Sequence, residues 1–384
     1  MTLPPLPFAL PDITDAEIAA VAEAMRSGWV TTGPKAKAFE QAFAAYLGGG
    51  CEAIAVNSAT AGLHLAVEAA GIGPGDEVIV PTMTFTATAE VVRYLGADPV
   101  LVDIDPATLN LDPRAVEAAI TPRTKAIMPV HYGGLSCDMS AIQAIAAHHK
   151  LAVIEDAAHA LPTTWQGKLI GTLPTTATVF SFYANKTITT GEGGMVITRD
   201  AQAAKRMRTM RLHGMDRDAF DRFRSTRPAW HYEIVAPGFK YNMTDVAAAM
   251  GLVQLQRLPG FLTRRQILAE RYRQGLAGLP LQLPPEAPAG DTHAWHLYVV
   301  RLLPGARLGR DELIAQLSAR GIGTSVHYIP LHRHPYWRER YALRPESFPE
   351  AERAFHAMLT LPLYTVMSDI DTDRVVAALR ELLG

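Results

Sequence analysis

The sequence predicts an α/β fold, with a large domain built on a mainly parallel central sheet and a small C-terminal α/β domain. Short apolar runs alternate with helical patterns between residues 52 and 200, a Pro- and Gly-rich stretch interrupts the chain at Leu279–Gly290, and strand and helix patterns resume after it. This alternation is typical of parallel sheets with helices on both faces. The 384 residues suffice for two cores, which we expect at residues 1–260 and 261–384.

The first half of the chain supplies the predicted sheet. Buried strands are predicted at Ala53–Val56, Glu77–Val80, Pro99–Asp103, Lys125–Val130 and Leu151–Glu155. Helices are predicted between them at Ala61–Ala70, Thr86–Leu95, Pro113–Ile120 and Met139–His148. Because ligands of such sheets bind beyond the carboxyl ends of the strands, chemically active residues are expected just after each strand.

The second half is predicted to be helical over residues 201–280, with a break around Trp230–Tyr241 and a helix over Asp245–Leu258 that Thr244 can cap. After the Pro- and Gly-rich linker, the predicted order is a strand (His296–Leu302), a helix (Arg310–Arg320), a strand (Thr324–Ile329) and two more helices. This pattern predicts the small α/β domain.

Composition excludes several classes of protein. A net charge of −2 provides no field that would gather nucleic acid or an acidic membrane surface. Cys51 and Cys137 are expected to be reduced thiols of a cytoplasmic protein, and no zinc-site spacing surrounds them. The N-terminus does not resemble a signal peptide, and no apolar run is long enough for membrane insertion.

The strongest chemical signal is IEDAAHA at 154–160 followed by FSFYANKTITTGEGGMV at 180–196. A carboxylate at a strand end is commonly a turn residue, and most lysines are solvated. Here, however, Asp156 ends an apolar strand, and Lys186 stands among small and β-branched residues before a Gly-rich stretch. The two segments together are less ordinary than either residue alone.

Pyridoxal phosphate (PLP) requires a lysine for its Schiff base, a carboxylate for its pyridine nitrogen, N–H and hydroxyl groups for its phosphate, and groups that pack on the ring. The chain offers Lys186, Asp156, the hydroxyl of Ser181 and Phe85. It also offers the NSATAG segment at 57–62, which follows the first strand and opens a helix.

Several longer motifs resemble the DegT/StrS sugar aminotransferases, a branch of the fold-type-I PLP-dependent transferases. They are NSATAGLHLA, GPGDEVIVPTMTF, VDID, IEDAAHA, FSFYANK followed by TTGEGG, and GFKYNMTD. The match runs in order from about Asp12 to the C-terminus. The resemblance therefore implies the fold-type-I fold and PLP as the cofactor.

By position, the resemblance implies that Lys186 forms the Schiff base and moves the proton between Cα of the amino donor and C4′ of the cofactor. It implies that Asp156 pairs with the pyridine nitrogen. The other implied cofactor contacts are Thr60, Ala61 and Ser181 at the phosphate, Phe85 and Ala158 on the ring faces, and His159 at the phenolic oxygen.

The chain departs from the family pattern at two positions. Many members carry Gln at the position of His159, and both side chains can donate a hydrogen bond. Many carry Arg at the position of Asn242, which the family places at the cofactor phosphate of the neighbouring subunit. Asparagine can donate there but brings no charge. The resemblance thus implies a homodimer with shared active sites.

The segments HGM…DAFDR, APGFKYNMTD, HAWHLYVVRL and RGIGTSVHYIPLH are most similar to the branch that includes the UDP-4-amino-4-deoxy-L-arabinose–oxoglutarate aminotransferases. That branch implies transfer from L-glutamate, which leaves as 2-oxoglutarate, to C4 of a UDP-4-keto sugar for surface polysaccharide or lipid A modification. The implied substrate contacts are Trp29, Gly33, Tyr183, Lys240 and His327.

Other interpretations stay open from the sequence. Core positions are the alternative for His159, His327 and Phe85, and a plain turn is the alternative for Trp29 and Gly33. Lys240 could be a solvated cation. Loop positions fit His332 and His334 better than site positions. The substrate could instead be a dTDP-keto sugar aminated at C3 or C4. Sugar dehydratases on the same scaffold replace the lysine by histidine, so Lys186 argues against them. A regulatory DNA-binding protein would need a basic face, which the charge balance does not offer.

Overall fold

A computed structural model describes residues 4–216 and 231–384 of the chain. The DAFDR segment at 218–222 and Trp230, where the predicted helical break begins, lie outside the described residues. The elements below carry labels in chain order.

A seven-stranded sheet forms the centre of the large domain. Its strands are β1 (Glu52–Val56), β2 (Glu77–Pro81), β3 (Asp98–Val102), β4 (Thr124–Ile127), β5 (Ala152–Asp156), β8 (Ala177–Ser181) and β9 (Gly194–Thr198). The spatial order is β1-β9-β8-β5-β4-β2-β3, and only β9 runs antiparallel to its neighbours. The predicted mainly parallel sheet is therefore confirmed. A two-stranded ribbon, β6 (Thr164–Trp165) and β7 (Lys168–Leu169), lies apart from it.

Both faces of the sheet are buried, as its nearly continuous apolar strands require. Side chains alternate along β2, so that Ile79 joins one hydrophobic cluster while Val78 and Val80 join the cluster on the opposite face. The covering helices are α1 (Asp15–Arg26), α2 (Pro34–Tyr46), α3 (Ala59–Ala69), α4 (Ala87–Tyr94), α5 (Pro113–Ala119), α6 (Met139–His149) and α7 (Ala201–Met210).

The longest described helix, α8 (Asp245–Leu276), begins at Thr244, whose hydroxyl accepts from the Ala247 N–H at 3.2 Å. In its first half, α8 packs through Leu255 and Leu258 into the hydrophobic cluster that contains Ile79. Near its end, Leu268 and Tyr272 belong to the cluster of the C-terminal part. The helix therefore runs through the expected boundary at residue 260 without a break, and that boundary stays a prediction.

The C-terminal part contains a three-stranded antiparallel sheet. It consists of β10 (Leu281–Gln282), β11 (Tyr298–Leu302) and β12 (Met358–Leu361), with helices α9 (Arg310–Ala319), α10 (Pro335–Arg340), α11 (Pro349–Ala357) and α12 (Asp369–Leu383). The prediction of a strand at Thr324–Ile329 is wrong. Within the described part of the chain, this segment makes a single bridge, Ser325 to Thr360, because its next residues turn toward the large domain. Strand β11 pairs with β10 on one side and with β12 on the other, and β12 lies in a region where only helices were predicted.

Among residues 4–216 and 231–384, no helix has both the length and the apolar character that a membrane crossing needs. The same residues contain no group of three or more His, Cys, Asp or Glu placed to hold a metal ion. Both Cys51 and Cys137 are free thiols.

Candidate active site

A cavity of about 440 Å³ opens at the carboxyl ends of the central strands. Most of the predicted site residues line it: Thr60, Phe85, Asp156, Ala158, His159, Ser181, Tyr183, Lys186 and His327. They follow β1, β2, β5 and β8, and His327 comes from the C-terminal part. Parallel strands bring their carboxyl ends to one edge, which explains how residues far apart in sequence meet there.

Asp156 is the last residue of β5, and its buried carboxylate faces this cavity. One oxygen accepts from Thr88 Oγ1 at 2.8 Å and the other from the Ala158 N–H at 3.1 Å. Burial nevertheless raises the pKa of Asp156 above its ordinary value, and these bonds and the nearby Lys186 only partly oppose it. Because burial still disfavours the charged form of Asp156, this carboxylate is suited to pair with a cation in the cavity.

Lys186 lies on the connection between β8 and β9, which folds back on itself. Phe182 donates its N–H to Gly193 O at 2.9 Å, and Thr190 donates its N–H to Phe182 O at 3.0 Å. Desolvation lowers the pKa of Lys186 to about 8, although the negative charge of Asp156 opposes the shift. An amine with a pKa near neutrality can act both as nucleophile and as proton carrier.

His159 is a neutral imidazole of defined tautomer. Its Nδ1 accepts from the Gly133 N–H at 3.3 Å, so the ring hydrogen is on Nε2, 3.0 Å from Tyr328 Oη. Burial, together with the positive charge of Lys186, holds the pKa of His159 well below its ordinary value. The neighbouring Gly134 has φ +100°, and a Cβ there would lie 3.0 Å from His159 O, so this close approach requires glycine.

The turn between β1 and α3 can serve as an anion cradle. Ser58 caps α3 by accepting from the Ala61 N–H at 3.1 Å, and Ser58, Ala59 and Thr60 all line the cavity. A helix N-terminus presents free N–H groups and a partial positive charge, which suits a phosphate. Ser181 adds a hydroxyl at the end of β8. Ala61 itself lies buried behind this turn.

Two exposed aromatic side chains stand at the cavity. Phe85 is 59% exposed, which excludes the interpretation of this residue as plain core, and Tyr183 is 49% exposed. The Phe85 ring centroid lies 6.1 Å from that of Tyr328. An aromatic side chain this exposed at a cavity can pack on a planar ligand.

An adjoining cavity of about 530 Å³ shares Thr84, Phe85 and Tyr328 with this site. The adjoining cavity is lined by Thr84, Phe85, Thr86, Glu90, Val326, Tyr328, Ile329, His334, Pro335, Tyr336 and Trp337. His334 thus faces this second space. His332 instead bonds Thr82 Oγ1 and Glu352 Oε1, at 2.7 and 2.8 Å, inside the structure.

Besides Ala61, four predicted contacts are not among the residues that line the site: Trp29, Gly33, Lys240 and Asn242. Gly33 donates its N–H to Asp245 Oδ1 at 2.7 Å, and Asn242 Nδ2 donates to Thr32 Oγ1 at 2.6 Å. These bonds tie the segment before α2 to the start of α8, and we name residues 29–33 and 240–245 the α2–α8 junction. Lys240 is exposed there.

Several lining or supporting residues were not predicted: Thr84, Thr88, Asn185, Glu192, His296 and Tyr328. Most of them lie within or beside quoted motifs, and Tyr328 directly follows His327. Their roles depend on distant partners, such as His159 for Tyr328, so no local pattern could assign them. Position inside a motif was the only available signal.

Comparisons with known proteins agree with this geometry. The family model of the DegT/DnrJ/EryC1/StrS aminotransferase family matches residues 11–380. The spore coat polysaccharide biosynthesis protein SpsC of Bacillus subtilis (strain 168) is 48% identical over 380 residues, covering 98% of this chain and 97% of SpsC.

Solved structures are similar over nearly the whole chain. The putative sugar aminotransferase Spr1654 from Streptococcus pneumoniae, in its PMP form, has a TM-score of 0.92 at 35% identity, with 98% of each chain covered. DesI, solved in the presence of its TDP-sugar product, has a TM-score of 0.86 at 34% identity, with 98% of this chain and 92% of DesI covered.

The predicted fold and cofactor are thereby confirmed, since Spr1654 was solved in both PLP and PMP forms. The cavity fits that cofactor, because it combines a buried carboxylate, a lysine amine and a helix N-terminus. The chain therefore belongs to the DegT/DnrJ/EryC1/StrS aminotransferase family, as a PLP-dependent sugar aminotransferase.

Proposed function

We propose that this site transfers an amino group from L-glutamate to a nucleotide-linked keto sugar, at C4 of a UDP-4-keto sugar. The observation that carries the proposal is the presence of Lys186 and Asp156 in one cavity beside the N-terminus of α3. PLP, when bound, supplies the electron sink that lets a proton leave carbon next to nitrogen. The protein must hold that group and move the proton.

Asp156 would hold the pyridine nitrogen through its buried carboxylate. The turn at Ser58–Thr60 and the Ser181 hydroxyl would hold the phosphate, with Phe85 and Ala158 on the ring faces. His159 can donate one hydrogen bond through Nε2, and in the structure that hydrogen faces Tyr328 Oη. A role for His159 at the phenolic oxygen therefore requires Tyr328 to share or release this contact.

Lys186 would move the proton. Its pKa of about 8 leaves an appreciable fraction of the amine neutral near physiological pH, so Nζ can take a proton from Cα of the donor. The same amine, once protonated, can return the proton on the sugar side. Retention of lysine here also favours transamination over the dehydratase alternative.

The adjoining cavity supports a substrate larger than a simple keto acid. It shares Phe85 and Tyr328 with the site, and its exposed aromatic Tyr336 offers a surface on which a nucleobase could stack. The structure of DesI with its TDP-sugar product supports a nucleotide-linked sugar, and it keeps a dTDP sugar aminated at C3 or C4 as the second candidate. The name of SpsC supports a surface polysaccharide as the destination of the amino sugar. Lipid A modification is the second proposed destination. The proposal places the synthesis in the cytoplasm.

A shared active site explains the predicted contacts that lie outside the cavity. Trp29, Gly33, Lys240 and Asn242 cluster at the α2–α8 junction, where they could reach the cavity of a second copy. We therefore include an isologous homodimer in the proposal. In it, Asn242 would face the partner's cofactor phosphate and Lys240 the substrate diphosphate.

The test is product structure. Purified protein is incubated with glutamate and a panel of UDP- and dTDP-linked 3-keto and 4-keto sugars, and the aminated product is analysed by NMR. The proposal expects nitrogen at C4 of a UDP sugar and no product with Lys186→Ala. Nitrogen at C3, or turnover of dTDP sugars alone, would overturn the substrate assignment. Lack of turnover with the whole panel would overturn the nucleotide-sugar proposal itself.

A further inference from the structure

His296 lies behind Lys186, outside the set of residues that line the cavity. Its Nε2 is 3.4 Å from Lys186 Nζ, and its side chain is 5% exposed. Its other ring nitrogen, Nδ1, is buried and has no hydrogen-bond partner among the described residues. A buried ring nitrogen without a partner is costly, so a reason for retaining histidine here is needed.

The position of His296 is fixed from several sides. The buried guanidinium of Arg265 donates to Trp295 O at 3.0 Å, next to His296 in the chain, and to Leu363 O at 3.1 Å. Leu297, on the other side, donates its N–H to Gly133 O at 3.1 Å. The segment is therefore fastened both to α8 and to the loop that supports His159.

The ring of His296 also packs against the ring of His159, with 4.4 Å between centroids. Among the described residues, the ionisable groups that act on the pKa of His296 are Lys186, His159, Arg265 and His327, and none of them is a carboxylate. Burial and these groups hold the pKa of His296 well below its ordinary value, so the ring is neutral. Lys186 thus has a neutral neighbour on this side.

We propose that His296 is a positioning residue, which accepts a hydrogen bond from the Lys186 amine at Nε2 whenever that amine is free of the cofactor. The inference concerns the lysine and its cofactor, and it deepens the proposed transamination without depending on the sugar. A carboxylate in this place would also hold the amine, but it would favour the charged ammonium. A neutral imidazole holds Nζ in place and leaves it able to lose its proton.

The test uses three substitutions of matched reach. His296→Gln supplies a neutral amide oxygen, His296→Phe keeps a flat ring without an acceptor, and His296→Glu supplies an acceptor with a negative charge. The full-length apoprotein is mixed with PLP in a stopped-flow instrument across a pH series. The visible band of the lysine-bound cofactor reports how fast Lys186 reacts, with no sugar or glutamate present.

The expected results separate positioning from a merely structural role. His296→Phe should slow the reaction about fivefold, the loss expected for one neutral hydrogen bond, and His296→Gln should restore most of it. His296→Glu should shift the midpoint of the pH profile upward by about one unit, because the added charge stabilises the ammonium. Equal rates for Gln and Phe, or an unshifted midpoint for Glu, would overturn the proposal. If the Phe variant does not fold, the comparison of Gln with Glu still decides.

Discussion

Replacing Asp156 with asparagine removes one charge, and neighbouring groups can form hydrogen bonds with the new amide. The asparagine oxygen can accept from the Ala158 N–H, as Asp156 Oδ1 does at 3.1 Å. Its NH₂ can donate to Thr88 Oγ1, now 2.8 Å from Oδ2, and Thr88 can turn its hydrogen toward Thr84 Oγ1, also 2.8 Å away. Because burial raises the pKa of Asp156, the neutral amide should leave the apoprotein at least as stable near pH 7.

The Asp156→Asn substitution is expected to slow the reaction. Two unit charges about 4 Å apart interact by about 4 kcal/mol at an effective dielectric constant near 20. Since about 1.4 kcal/mol corresponds to a factor of ten, Asp156→Asn should lower the rate of the glutamate half-reaction about a thousandfold. The rate is measured by single-turnover absorbance of the bound cofactor, and stability by thermal unfolding.

Two controls sharpen this prediction. Thr88→Val keeps the carboxylate and should lose far less than Asp156→Asn. Removal of the Asp156 charge should also lower the pKa of Lys186 below about 8, because that charge now raises it, so the limb of the pH profile that reports Lys186 should move toward acid. A loss of less than about tenfold at a normal cofactor content would refute the reasoning and assign the ring nitrogen to another group.

Three further predictions concern Lys186, assembly and Lys240. Lys186→Ala should abolish transamination and the visible band of the lysine-bound cofactor while the phosphate cradle still retains PLP; near-normal turnover would contradict the central assignment. Light scattering should give the mass of two 41.7 kDa chains, and a fully active monomer would exclude the shared site. Lys240→Ala should raise KM for the sugar nucleotide several-fold with little effect on the glutamate half-reaction, whereas equal effects on both would show that Lys240 does not meet the diphosphate.

The sequence predicted strands β1 to β5 of the sheet because each of them carries its own apolar signal. The runs around Val78–Val80 and Val153–Ile154 are apolar on both faces, and such burial is a local property of a parallel strand. The segment at Thr324–Ile329 carries a similar apolar and β-branched pattern, yet its contacts with Tyr132 and His159 draw it away from a ladder. Tertiary contact decided its conformation, and no local pattern contains that information.

The residues of the candidate site also fall into two groups, those with a local sequence signal and those without one. Lys186 and Asp156 could be predicted because a distinctive motif surrounds each, and Thr60, Ser181 and Phe85 follow from their places after strands. His296 and Tyr328 could not be assigned roles, since each acts through a residue more than 100 positions away. Trp29, Gly33, Lys240 and Asn242 lie outside the cavity, and the contacts proposed for them involve a second copy of the chain, for which a single sequence carries no local signal.

The uninterrupted α8 has a consequence for building hybrid enzymes within this family. Its 32 residues span about 48 Å at 1.5 Å per residue, from the α2–α8 junction to the C-terminal core. The same helix carries Arg265, which fastens the segment behind Lys186. An exchange of C-terminal parts that cuts at residue 260 would join two foreign halves of one helix. A cut within Leu279–Gly290 leaves the helix and its cap on one parent, and Arg265 would still meet only backbone carbonyls on the other. Crossovers placed there should therefore yield folded hybrids more often.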